Sequence, residues 1–351
     1  MAVKLGFIGA GTINRWHMKS AAALGVEIVA VAEPVAAMAQ EVKSTYGIGR
    51  IYTDYRELVT DKNVSAVIVG TPNKFHAEHA IAALDAAKHV FLEKPMAMNL
   101  AEADAILAAV KRSGKILQMG MVNRFKGSVQ VLKKFLATGR CGRIYTGQTF
   151  MYRRRGIPGF GGWFTQKDLA GGGALIDIGV HMIDLALYLM DFPKPVAVSG
   201  MTYNIWDSLE RYTYTSMWSK PVPGGKKDVD DYALAIIRFD QGQTLEVNVS
   251  WSLNVEAMSP DNGLRLMGDK GGVALSGVEN PRIITEEVGH LVDIHPEYAN
   301  NDPFLAEMTN FIESIEGKAE PLATGEQGRM VQSILDAIYQ SSAERREVRL
   351  D

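Results

Sequence analysis

The sequence predicts an α/β N-terminal half built on a parallel sheet, followed by an α+β half built on an antiparallel one. Three observations carry this. Short, almost wholly apolar runs alternate with helix-length segments rich in alanine and charge up to about residue 121. The first run ends in Gly9-Ala10-Gly11. Beyond residue 121 the texture changes to segments in which apolar and polar residues alternate.

Residues 3–8 form the first apolar run, and a helix-length segment follows the glycine turn to about residue 24. Residues 27–32 are a second, β-branched run, and 66–69, 90–92 and 116–119 repeat the pattern. Residues 77–87 and 100–112 lie between them and are rich in alanine and charge. Strand, helix, strand at this spacing reads as βαβ units on a parallel sheet. Fully apolar strands fit a sheet covered on both faces. Asn99 is placed to cap the helix that starts near Leu100, with Glu102 supplying charge in its first turn.

Residues 143–152, 196–203, 232–239 and 243–251 carry the alternating pattern of half-buried strands. Asp240-Gln241-Gly242-Gln243 between the last two reads as a hairpin loop. Helical stretches over 174–190, 303–316 and 325–345 complete the second half. The tract 221–227 reads as an exposed excursion. At 351 residues the chain is long for one core, so two domains are expected, 1–122 and 123–351.

The bulk chemistry narrows the function. A formal net charge of −3 with no dense basic block argues against nucleic acid as a partner. The single cysteine, Cys141, excludes an intrachain disulfide framework and suits a reducing compartment. No secretion signal is visible, and no stretch approaches the ~18–20 uninterrupted apolar residues of a membrane span. The expectation is a cytoplasmic protein with no membrane partner.

Gly9, Ala10, Gly11, Thr12 and Ile13 stand between the first strand and the first helix, where backbone amides approach a pyrophosphate at the helix's positive end. The third glycine of G-x-G-x-x-G is replaced by Asn14. Glu33 closes the second strand, about twenty residues past the turn, where a carboxylate accepts from the ribose hydroxyls of NAD and repels the extra phosphate of NADP. NAD is therefore favoured over NADP. The third strand ends at Gly70-Thr71-Pro72-Asn73, with His76 following, so Thr71, Pro72, Asn73 and His76 are candidates for the nicotinamide half. His76 and His79 lack an evident third ligand, so no metal site is expected.

Val90-Phe91-Leu92-Glu93-Lys94-Pro95 delivers a carboxylate and an ammonium to the point where proline stops the strand. That is where open α/β sheets bind their ligands. Glu93 and Lys94 are thus candidate cofactor contacts, and Lys94 is also a candidate catalytic group. In the second half, Gly171-Gly172-Gly173 leads into an almost wholly apolar helix that still carries Asp177 and His181 four apart, on one face. A buried helix that retains such groups needs either a satisfied polar pair or an active site to explain them.

Taken in order, the strand–GxG–helix opening, Thr71-Pro72-Asn73 with His76, Glu93-Lys94-Pro95, and the triple glycine followed by Asp177 and His181 resemble the Gfo/Idh/MocA family over nearly the whole chain. The resemblance implies an N-terminal Rossmann domain and a C-terminal domain with a large, mostly antiparallel sheet. It implies a homodimer or homotetramer formed through that sheet, NAD or NADP as cofactor, and a sugar or polyol as substrate. It also implies that Lys94, Asp177 and His181 are the catalytic positions. A histidine with an ordinary pKa of about 6.5 can take a hydroxyl proton near neutrality. Lys94 either stabilises developing negative charge or, with its pKa lowered by burial, is itself the base. Asn123 and Arg124, after the fifth strand, are candidate substrate contacts, as are Arg153 and Arg155, which face one way if extended. Trp163 offers a ring to the apolar face of a sugar. Two reactions fit: net oxidation of a secondary alcohol, or glycoside cleavage by transient oxidation and elimination with no net redox change.

Overall fold

The computed structural model describes residues 2–215, 217–256 and 259–350, and divides them into two compact units. The first comprises Met1–Phe125 and Asp302–Met330; the second comprises Lys126–Asn301 and Val331–Asp351.

The first unit opens with strand β1 (Lys4–Ile8), helix α1 (Thr12–Ala23), β2 (Glu27–Ala32), α2 (Ala36–Tyr46), β3 (Arg50–Tyr52) and α3 (Tyr55–Thr60). It continues with β4 (Ala66–Val69), α4 (His76–Asp85), β5 (His89–Glu93), α5 (Leu100–Ser113) and β6 (Leu117–Gly120). The six strands lie in the order β3-β2-β1-β4-β5-β6, all parallel. This is the Rossmann arrangement, with its reversal of strand order beside β1. Every residue of β4 is buried, which accounts for its unbroken apolar run. The expected cap on α5 is present: Asn99 accepts from the Glu102 amide at 3.0 Å, and Glu102 reaches back to accept from the Met98 amide.

The second unit contains α6 (Gly127–Leu136), β7 (Ile144–Tyr152), α7 (Lys167–Ala170), α8 (Val180–Leu189), β8 (Pro195–Tyr203), β9 (Tyr232–Phe239) and β10 (Thr244–Ser250). Then come β11 (Asn262–Gly268), β12 (Gly272–Ser276), β13 (Pro281–Glu287) and β14 (His290–Ile294). Helices α9 (Pro303–Ile315) and α10 (Gly325–Glu344) and strand β15 (Val348–Arg349) close the chain. The nine-stranded sheet has the order β14-β13-β12-β11-β7-β10-β9-β8-β15. Its neighbours are antiparallel except β7 and β10, which run parallel. The β9–β10 hairpin turns through Gly242 at φ +85°, with the Phe239 amide on the Gln243 carbonyl at 2.9 Å. Burial alternates along β9 and β13, so one face of the sheet is covered and the other is not.

Helix α9 belongs to the first unit, not to the sheet that precedes it in sequence. Met308 and Phe311 join Leu5, Phe7, Ile68 and Phe91 in one apolar core. Met119 donates its amide to Ala323, and Gln118 donates to the Glu307 carbonyl. The run Lys167–Leu189 is long and apolar enough to cross a membrane by length and composition, yet 89% of its most apolar window is buried inside the fold. Within it, α8 is the core helix against the sheet of its own unit. The tract at 221–227 is largely exposed, as expected, and is tied down at two points: the Val222 amide bonds the Phe160 carbonyl at 2.8 Å, and Thr165 Oγ1 donates to the Lys226 carbonyl.

Candidate active site

The glycine turn follows β1. Gly9 adopts φ +94°, and a Cβ there would come within 3.1 Å of the Gly70 carbonyl, so the position needs glycine. Gly11 forms the N-terminus of α1 with no side-chain cap, and a Cβ on it would meet nothing within 4 Å. Uncapped amides facing open space are what a pyrophosphate requires. Thr12 is exposed and Ile13 half-buried on the first turn of the helix. Asn14, in place of the third glycine, is fully buried and donates to the carbonyls of Ile8 and Gly9, both at 2.8 Å. It therefore stitches the turn closed from inside. Glu33 is buried at the end of β2; Oε2 accepts from the Ala10 amide at 2.8 Å and Oε1 from the Val35 amide at 2.9 Å. A carboxylate pinned beside an open helix N-terminus fits the ribose and pyrophosphate of a dinucleotide.

At the ends of β4 and β5 the side chains divide into two groups. Thr71 and Pro72 are half-buried, and Thr71 Oγ1 lies 3.2 Å from His79 Nδ1. Burial lowers the His79 pKa to about 4, which keeps that ring neutral. Asn73 is buried at the start of a short 3-10 turn. His76 and Glu93, expected as cofactor contacts, turn inward instead. The His76 nitrogens sit 2.7 Å from the Pro95 carbonyl and 2.9 Å from that of Thr71, and the ring is buried. Burial depresses its pKa, against the pull of those two carbonyls. The ring thus braces the Thr71 loop against the Lys94-Pro95 loop. Glu93 is buried and faces His17 Nε2 at 2.6 Å. Lys94 is half-buried where β5 ends, and the Lys94–Pro95 peptide is cis. Asn123 is half-buried in the turn after β6. Its neighbour Arg124, expected to meet substrate, is fully buried and donates to the Leu322 carbonyl at 2.7 Å and to Gln327 Oε1 at 2.5 Å. Its charge ties residues 322–327 into the first unit.

In the second unit the triple glycine is a close-approach site. A Cβ on Gly173 would lie 1.9 Å from the Asp230 carbonyl, and one on Gly172 would lie 2.0 Å from the Tyr339 hydroxyl. Asp230 is buried; Oδ1 accepts from the Gly173 amide and the Tyr339 hydroxyl, both at 2.7 Å, and Oδ2 from the Leu175 amide at 2.9 Å. Burial raises the Asp230 pKa, and these three donors oppose the rise. From that anchor the chain enters a π-helical turn, Leu175–Gly179, before α8. Such turns recur at functional sites. Asp177 lies within the π turn and His181 on the first turn of α8. Both are partly exposed in a segment otherwise almost entirely buried. Trp251, wholly buried at the end of β10, donates from Nε1 to Asp177 Oδ2 at 2.9 Å. Arg153 Nη1 lies 4.0 Å from the same oxygen. Arg155 does not share this setting: it donates to the Leu253 carbonyl at 3.0 Å and to Asn254 Oδ1 at 2.7 Å, and lies 4.7 Å over the Trp206 ring. Expected to contact substrate, it has these donors on the segment that follows β10. Trp163 is half-buried and stacked on Phe164.

Residues 3–121 match the family model described as an oxidoreductase family with an NAD-binding Rossmann fold, and residues 133–350 match the companion C-terminal alpha/beta model. The chain belongs to the Gfo/Idh/MocA oxidoreductase family. The D-glucoside 3-dehydrogenase of Escherichia coli is 32% identical over 318 residues, covering 90% of this chain and 88% of that one. The myo-inositol 2-dehydrogenase of Thermotoga maritima is 26% identical over 365 residues, covering 99% of each. The crystal structure of aldose–aldose oxidoreductase from Caulobacter crescentus, complexed with glycerol, superposes with a TM-score of 0.82 at 26% identity, covering 100% of both chains. As a family member the chain is an NAD-dependent oxidoreductase homologous to dehydrogenases that act on CH–OH groups of sugars and polyols.

Three side chains in these settings carry no sequence signature of their own. His17 reads as one polar residue on a helix, Trp251 as the end of a strand, and Tyr339 as one face of the last helix. Only Asp230, beside Asp231 at the head of an apolar strand, offers a hint, since paired carboxylates there need buried donors.

Proposed function

We propose that this family member oxidises a ring secondary alcohol of a D-glucoside or inositol-like polyol, with NAD as acceptor. The observation that carries the reading is the pinned π turn: Asp177 and His181 are the groups that a buried segment leaves partly exposed, and Trp251 fixes the carboxylate. The glucoside is favoured because the relative of that name is 32% identical over 90% of this chain, against 26% for the myo-inositol 2-dehydrogenase. When bound, NAD supplies the hydride acceptor at nicotinamide C4. His181 takes the hydroxyl proton, Asp177 orients the imidazole or a neighbouring substrate hydroxyl, and Lys94 stabilises negative charge on the oxygen. Gly9, Ala10, Gly11, Thr12 and Ile13 hold the pyrophosphate, Glu33 the ribose, and Thr71, Pro72 and Asn73 the nicotinamide side. Glu33 also sets the preference for NAD over NADP by charge repulsion. Asn123, Arg153 and Trp163 contact the sugar. The first unit serves the cofactor, and the second serves the substrate and a homo-oligomeric contact through the nine-stranded sheet, in a cytoplasmic enzyme.

The test is absorbance at 340 nm with NAD and a panel of methyl glucosides and inositols, with chromatography of the sugar products. A lasting rise with a keto-sugar product is expected. Glycoside cleavage without accumulated NADH would replace this reading with the redox-neutral one.

A further inference from the structure

Helix α1 presents its first turn to the pyrophosphate site and a buried imidazole to the end of β5. His17 is fully buried on α1, edge-on to Phe91 at 4.7 Å and to Phe304 at 5.7 Å. Its Nε2 lies 2.6 Å from Glu93 Oε1, so the carboxylate selects the tautomer with hydrogen on Nε2. The other carboxylate oxygen, Oε2, accepts from the Lys94 amide at 3.2 Å. Glu93 has little room to turn: a Cβ on Gly120 would already lie 2.9 Å from Oε1. One carboxylate therefore joins an imidazole on the dinucleotide helix to the backbone of the lysine that closes β5.

We propose that His17 is a positioning residue: through Glu93 it sets how Lys94 leaves the sheet, and it couples that setting to occupancy of the N-terminus of α1. The inference rests on the assignment of Lys94 to the catalytic set. Without the imidazole donor, a buried carboxylate must seek another, and the bond it trades is the one to the Lys94 amide. The geometry also dictates the substitutions. A glutamine side chain places its amide nitrogen near the position of Nε2 and reaches Glu93. An asparagine places it near Nδ1 and does not.

The readout is the acetylation rate of Lys94 in the protein without cofactor, measured by pulse labelling with N-hydroxysuccinimidyl acetate and peptide mass spectrometry. The exposed Lys270 of the second unit is the internal reference. His17→Asn is expected to change the Lys94 rate about three- to tenfold, the range that one net hydrogen bond is worth, while His17→Gln stays within about twofold of wild type. Saturating NAD should protect Lys94 in wild type and in His17→Gln, and protect it less in His17→Asn. Glu93→Gln, nearly isosteric, should shift the Lys94 rate as well, and serves where His17→Asn fails to fold. An unchanged Lys94 rate in folded His17→Asn or in Glu93→Gln overturns the proposal, as does a His17→Gln protein perturbed as much as His17→Asn. These outcomes are independent of the catalytic assignment. Undiminished turnover in Lys94→Ala would remove Lys94 from the chemistry and leave the brace standing.

Discussion

The end of β5 in the first unit and the π turn before α8 in the second solve one problem in two ways. Each must hold a polar side chain at the tip of an apolar element. At β5, Glu93 fixes the Lys94 amide and is itself held by His17. At the π turn, Asp230 fixes the Gly173 and Leu175 amides and is itself held by Tyr339. The shared device is a buried carboxylate that accepts backbone N–H groups next to the functional residue. The glycine turn repeats it, with Glu33 on the amides of Ala10 and Val35. The difference lies in rigidity. The β5 end is set by a strand inside a parallel sheet, whereas the π turn depends on close approach at Gly172 and Gly173 and on one carboxylate. The second region should therefore be the more easily broken.

The largest expected effect is at His181. His181→Ala should lower kcat by about 10²–10⁴-fold, the usual size of a general-base contribution, read from initial rates at saturating NAD and sugar. Wild-type turnover in that protein would leave the π turn a structural motif only. Next comes Asp230→Ala, which strips the Gly173 and Leu175 amides and the Tyr339 hydroxyl of a buried acceptor. Leaving such groups unpaired costs on the order of 3 kcal/mol, so the thermal midpoint should fall by several degrees and kcat should fall with it. A drop in midpoint with kcat intact would show that the π turn keeps its shape without the anchor.

Two smaller effects sharpen the comparison. Trp251→Phe keeps most of the buried ring and deletes only the N–H on Asp177, so kcat/KM should fall about five- to tenfold, the worth of one ordinary hydrogen bond. An effect confined to acid belongs to the neighbourhood of β4. His79 titrates at about 4 in the folded protein, against about 6.5 for an ordinary imidazole. Between those values the unfolded chain binds a proton that the folded one refuses, so stability falls as the pH drops from about 6.5 to about 4, by roughly 2–3 kcal/mol. Denaturant titrations should show His79→Gln with a flatter pH dependence over that window; an unchanged slope would mean that another group controls it.

Much of the architecture could be read from the chain because burial writes directly into composition. The parallel strands are covered on both faces and appear as unbroken apolar runs. Asn99 before Glu102, and Gly242 between two alternating segments, mark their cap and hairpin by local geometry alone. The return of α9 to the first unit left no such mark, since an amphipathic helix carries no address for the surface it will cover. Strands β11–β14 follow no pattern that sets them apart in the sequence. Among candidate site residues, charge reveals that a side chain needs a partner and says nothing of its direction. Hence Glu93, His76, Arg124 and Arg155, all plausible ligand contacts by type, turn out to hold backbone instead. Arg124 and Arg155 find those partners in segments distant in sequence, so no spacing could announce them.

The most direct measurement uses a methyl glucoside carrying deuterium on its ring carbons, incubated with the enzyme and NAD, with mass spectrometry of the recovered cofactor. The account predicts reduced cofactor bearing one deuterium, formed in step with the keto-sugar and suppressed in His181→Ala and Lys94→Ala. Reduced cofactor without deuterium, or transfer that proceeds undiminished in both variants, would contradict it.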